Sequence, residues 1–183
     1  MTADEPDVTW EAFYEAVGRG MSAWAGVEDA LCDVFSRIVI CCIGGGMKAG
    51  THENLRLLGN MFNSITNIPA RLAMIDDMVA AEISDATLTA EWRSVRNKVA
   101  DNYKRRNVLA HQGVWGSGTG SGEGASFLRG PFWSTKETMY DFKQVSSWPS
   151  SFKALEERTT DFAIAANKWL VENRPLSARL NPS

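Results

Sequence analysis

The chain has 183 residues, 44% of them apolar, and a formal net charge of −3; its isoelectric point lies at about 5.5. That length suits one domain with its own hydrophobic core. The acidity excludes a protein that coats nucleic acid by overall charge, so any nucleic-acid contact must come from a local basic patch.

Cys32, Cys41 and Cys42 make a poor disulfide framework, being odd in number with two adjacent. His52 and His111 lie far from them in sequence, and there is no Cys-x-x-Cys pair, so neither a metal site nor a cofactor is expected. The thiols read as small buried groups in a reducing compartment. The opening Met1-Thr2-Ala3-Asp4-Glu5-Pro6-Asp7 is acidic where a secretory signal would be basic, and the apolar run Ile38 to Ile43 is too short to span a bilayer. A cytoplasmic chain with no membrane partner is the expectation.

In chain order, residues 1–8 are expected to be a flexible N-terminus. Thr9 can cap a helix whose apolar positions Phe13, Val17, Met21, Trp24, Val27, Leu31, Phe35 and Ile38 recur at steps of three and four. Gly18 and Gly20 predict a kink or short break, because each costs about 1 kcal/mol in a helix interior. Gly44-Gly45-Gly46 predicts the stop. A second helix over about 53–81 carries Leu55, Leu58, Phe62, Ile65, Leu72, Ile75 and Val79, and Pro69 within it predicts either a kink near Asn67-Ile68 or two abutting helices.

A third helix starts near Asp85-Ala86-Thr87, with Asp85 or Thr87 as cap, and runs to about His111, where Gly113 is a natural stop. Residues 113–150 break the rhythm. The glycine-rich run 116–124 reads as a linker, because it lacks a phosphate-loop Gly-Lys-Ser/Thr ending. Phe127, Phe132, Trp133, Met139, Tyr140 and Phe142 suggest a small β-hairpin. Ser150 or Ser151 then caps a last helix to about Glu172, with Phe152, Leu155, Phe162, Ala166 and Leu170 at helical spacing. The predicted fold is all-α: a helical bundle of four to five helices in one domain over 9–173, with a glycine-rich hairpin insertion at 113–150 before the last helix and a flexible tail at 174–183.

One segment gathers unusual chemistry: Tyr103-Lys104-Arg105-Arg106-Asn107-Val108-Leu109-Ala110-His111. Histidine moves protons near neutrality, and arginine meets phosphate with two parallel donors. Tyr103, Asn107 and His111 are spaced by four and share a helix face. Arg106 and His111 are offset by about 140° and ~7.5 Å on a regular helix. A long arginine side chain, or a twofold-related second copy, would bring both groups to one ligand.

Arg106-Asn107-x-x-x-His111 at the end of the third long helix resembles the motif of the HEPN superfamily, helical-bundle proteins bearing Arg-x(4–6)-His, often with a polar residue after the arginine. The resemblance covers about residues 10–112 and 150–172. It implies a metal-independent endoribonuclease that cleaves RNA by 2′-hydroxyl transesterification, with Arg106, Asn107 and His111 as catalytic residues. It also implies a homodimer lining one cleft, an RNA or nucleotide ligand, and a toxin or defence setting with a cognate antitoxin protein. Tyr103, Lys104, Arg105 and Trp115 are the accompanying candidates for RNA or ligand binding. Glu28, an acid in the apolar stripe of the first helix, would either support Arg106 and His111 or pair with Arg71 or Arg93. Three other readings stand beside this one. The same cleft would serve a non-catalytic nucleotide-, RNA- or protein-binding module; the chain would be a purely structural helical protein; or His111 would act only as a cation at a helix C-terminus.

Overall fold

The computed structural model describes residues 9–43, 52–116, 126–130 and 139–173. The expectations for 1–8, 174–183, the Gly44-Gly45-Gly46 stop, most of the glycine-rich run, Phe132 and Trp133 lie outside those residues. The described chain is an all-α helical bundle with a small sheet before the last helix, the fold class that the periodicity predicts. Five helices, α1 (Trp10–Ile43), α2 (His52–Ser64), α3 (Ile68–Glu82), α4 (Ala86–His111) and α5 (Phe142–Asn173), accompany strands β1 (Gly113–Gly116), β2 (Ser126–Arg129) and β3 (Met139–Asp141).

Helix starts follow local chemistry. The Thr9 hydroxyl accepts from the Ala12 amide at 3.2 Å and opens α1. Asn67 caps α3 by accepting from the Ala70 amide at 2.8 Å. Pro69 then falls in the first turn of α3, where its missing N–H is harmless. The Pro69 signal therefore marks two abutting helices. Asp85 caps α4, accepting from the Leu88 amide at 2.8 Å.

Three expectations are corrected or extended. First, α1 runs unbroken through Gly18 and Gly20. Gly20 is buried, and a Cβ there would come within 2.6 Å of Leu109 Cδ1; it serves close helix contact. Second, the small antiparallel hairpin expected before the last helix is present and gains a third strand, giving a meander in the order β1-β2-β3. Third, α5 begins at Phe142 and not at Ser150 or Ser151, so the insertion closes at Asp141. The Asp141 carboxylate accepts from the Gln144 amide at 2.7 Å, and the Gln144 side chain accepts from the Asp141 amide at 3.0 Å. That reciprocal cap starts the helix. Pro149 sits inside α5 and costs roughly 3 kcal/mol there. Val145, Trp148 and Phe152 are buried around it, and at roughly 2 kcal/mol per large apolar side chain they outweigh that cost.

The chain divides into two compact units, residues 1–26 with 102–154, and residues 27–101 with 155–183. In the first, Trp24 lies between Tyr103 (ring centroids 6.1 Å apart) and Phe152 (5.3 Å, edge-on). Phe13 meets Phe142 edge-on at 5.7 Å. One sheet face turns Val114, Leu128 and Tyr140 to the same side, with Leu128 fully buried and Tyr140 edge-on to Trp148 at 5.2 Å.

In the second unit, Phe35, Phe62, Ile75, Val79, Trp92, Val95 and Phe162 are buried. Arg71 joins three elements there. Its Nη1 pairs with Glu28 at 2.8 Å, its Nε donates to the Ile65 carbonyl at 2.9 Å, and its guanidinium lies 5.0 Å from the Phe62 ring centre. No helix among the described residues is long and apolar enough to cross a membrane.

Candidate active site at the end of helix α4

The C-terminal turns of α4 carry the motif. Leu109 is buried and fixes the helix against Gly20. His111, two residues on, is the last helical residue and is exposed. The following Gln112 amide still donates to the Val108 carbonyl at 2.9 Å, and β1 begins at Gly113. Its exposure leaves the imidazole open to a ligand.

Arg106 is half-buried. Its Nη1 donates to Asn107 Oδ1 at 3.3 Å. Its Nε is buried without a hydrogen-bond partner, and Arg106 pairs with no carboxylate among the described residues. Leaving a buried donor unmet costs about 1–3 kcal/mol, more on a charged group. Such a group demands an explanation.

The other candidates divide. Lys104 and Arg105 are exposed on the wet side of the helix, and Arg105 Nη1 donates to Asn102 Oδ1 at 3.2 Å. Tyr103 is half-buried with its ring on Trp24, which makes it part of the packing beneath the motif. Trp115 lies on β1 and is 44% exposed. Glu28 takes the second of its two alternatives, the ion pair with Arg71.

Three features were not foreseen. Gln112 Oε1 is buried without a partner, one residue past the imidazole. Phe127 pairs across the sheet with Trp115, and Arg129 follows Phe127 on the same face. Gly20 sets the seat of Leu109. Gln112 had a sequence signal in its adjacency to His111 and Phe127 one in its strand-like surroundings, but neither gave the pairing or the burial.

Cys32 offers no nucleophile, since burial pushes its thiol up from the ordinary value, with Ser36 pulling the other way. Cys41 Sγ donates to Asn167 Oδ1 at 3.4 Å. A concavity of about 420 Å³ lies between α3 and α4, away from the motif, and is lined by Asp76, Thr89, Arg93 and Arg96 over Val79 and Trp92. Its carboxylate is occupied: Asp76 accepts from Trp92 Nε1 at 2.7 Å and from Arg96 Nε at 3.1 Å. No protein-family model, curated protein or solved structure matches this chain.

Proposed function

We propose that the chain is a HEPN-like, metal-independent endoribonuclease whose reactive groups are Arg106, Asn107 and His111. The observation that carries this reading is the Arg106 guanidinium. It is half-buried, its Nε is dry and unpartnered, and it stands five residues before an exposed imidazole. Backbone phosphate fits both demands, since its oxygens accept from the guanidinium while the adjacent ribose presents a hydroxyl to the imidazole.

In the proposed step His111 removes the proton of a ribose 2′-hydroxyl. The 2′-oxygen attacks phosphorus, the bond from phosphorus to the 5′-oxygen breaks, and that oxygen leaves with a proton. The products are a 2′,3′-cyclic phosphate and a 5′-hydroxyl end. Arg106 stabilises the charge that builds on the non-bridging oxygens, and Asn107 holds the guanidinium in place. Each chain supplies one imidazole at this motif, whereas the step needs a base and an acid. A homodimer with two motifs on one cleft meets that need.

The test is incubation of single-stranded RNA with purified protein in EDTA, beside His111→Ala and Arg106→Ala. Wild type should leave cyclic phosphate ends, and either variant should lose about hundredfold in rate or more. Equal cleavage by all three proteins, or none by the wild type, rejects the nuclease. Retained RNA affinity without any cleavage would instead favour the binding-module alternative.

A further inference from the structure

The concavity between α3 and α4 is lined only by residues of the second compact unit and takes no part in the chemistry proposed above. At about 420 Å³ it falls within the range of small-molecule sites, roughly 300–1,000 Å³. Side chains four apart share a helix face, so α4 lines it with two rows. The inner row, Trp92 and Arg96, is held by Asp76, which accepts from the indole Nε1 at 2.7 Å and from the guanidinium Nε at 3.1 Å. The outer row is Thr89, Arg93 and Asn97. Arg93 is exposed and forms no hydrogen bond or ion pair among the described residues. From α3 come the buried Val79 and the exposed Ala80.

Charge narrows what this concavity can hold. Asp76 and Arg96 neutralise one another, so among the residues that line it the Arg93 guanidinium is the charge left unmet. A guanidinium takes a carboxylate through two parallel N–H···O bonds, and one carboxylate brings the site to neutrality. A phosphate monoester carries about −1.5 to −2 at neutral pH and would set its excess charge against Asp76. The ends of the outer row differ as well. The Thr89 hydroxyl donates to the Asp85 carbonyl at 2.8 Å, so it can offer an incoming group only an acceptor. Asn97 Oδ1 accepts from Arg96 Nη1 at 3.5 Å, which leaves the amide N–H groups as donors. Donors for an anion therefore gather at Arg93 and Asn97, while Ala80 and Thr89 lie towards the connection 83–85.

We propose that this concavity is a binding site for a small organic monocarboxylate with an apolar body, its carboxylate on Arg93 and Asn97 and its body against Val79 and Ala80. The site stands whether or not the end of α4 cleaves RNA.

The experiment is an NMR titration of the full chain with 2-naphthoate, beside the neutral 2-naphthamide and the phosphate ester 2-naphthyl phosphate. The Trp92 indole N–H is the local reporter, since its bond to Asp76 lies at the inner row. Naphthoate should shift that resonance with a Kd of about 1 mM or tighter, and the amide and the phosphate ester should each bind about fivefold more weakly or worse. Arg93→Ala should weaken naphthoate binding about tenfold. Arg56→Ala, which removes an exposed arginine of α2, should leave it unchanged. Ala80→Phe, at an exposed position of α3, fills the concavity and should abolish binding. All three substitutions are at exposed positions, and the same spectra identify any variant that fails to fold, the others then carrying the test. No shift at about 10 mM naphthoate, equal affinity for the amide, or tighter binding of the phosphate ester overturns the proposal. So does full affinity in folded Arg93→Ala or Ala80→Phe, or a loss in Arg56→Ala equal to that in Arg93→Ala.

Discussion

Helix α4 carries the dipeptide Arg-Asn twice, ten residues apart, and the two copies have different surroundings. At Arg96-Asn97 the guanidinium reaches Asp76 at 3.1 Å, and the same carboxylate takes the indole N–H of the buried Trp92. At Arg106-Asn107 the guanidinium touches the neighbouring asparagine at 3.3 Å, has no carboxylate among the described residues, and keeps a buried donor unmet. The lesson is that a side chain's identity and its immediate neighbour do not decide its role; the compensation of its charge does. Arg96 has its charge met by Asp76, whereas Arg106 keeps a buried donor without a partner.

The largest effect that can break this contrast is on catalysis. Arg106→Ala should lower RNA cleavage about hundredfold or more, while Arg96→Ala should leave the rate of folded protein within a few-fold of wild type, measured by single-turnover cleavage. Comparable losses from both would erase the distinction.

The next effect is on stability, and it should run the other way. Asp76→Ala strands the buried Trp92 N–H and frees Arg96, so urea denaturation should show a loss of about 2–3 kcal/mol. Gly20→Ala drives a methyl group into Leu109 and should cost about 2 kcal/mol by overpacking. In a Leu109→Ala background the same change should cost less, because the clash is then gone. A Gly20→Ala protein as stable as wild type would show that Leu109 is free to move aside.

The smallest effect sharpens the comparison most. Arg106→Met removes an unsatisfied buried donor and keeps much of the apolar stem, so folding should be unchanged or more favourable by up to about 1 kcal/mol, even as cleavage disappears. A clear destabilisation by thermal unfolding would mean that Arg106, like Arg96, is held for structural reasons.

Much of this was legible in the sequence where the controlling interactions are local. Thr9, Asp85 and the Asn67–Pro69 pair announce their helices because a cap acts within three residues. The exposure of His111 follows from its place at a helix end. What stayed hidden depends on distant partners or on competing local signals. The Gly20–Leu109 contact joins residues far apart in the chain, so Gly20 reads as a breaker until its neighbour is seen. Asp141 and Gln144 form a proper cap, but Asp141 is also the last strand residue and Pro149 masks the helix beyond it. The pairing of Trp115 with Phe127 is set by register across an intervening loop, which no spacing rule reveals. The charge balance around Arg106 was equally invisible, since it concerns which acids fail to approach.

The junction at Asp141 and Phe142 has a consequence for how this protein can change. Strand passes to helix there with no spacer, and one side chain serves as both the sheet's last residue and the helix's cap. A single inserted residue would rotate the apolar stripe of α5 by about 100° and exchange the inward and outward sides of the strand end. Natural or engineered variation in length should therefore be confined to the two connections between strands, leaving this seam as a fixed reading frame for the last helix of the fold.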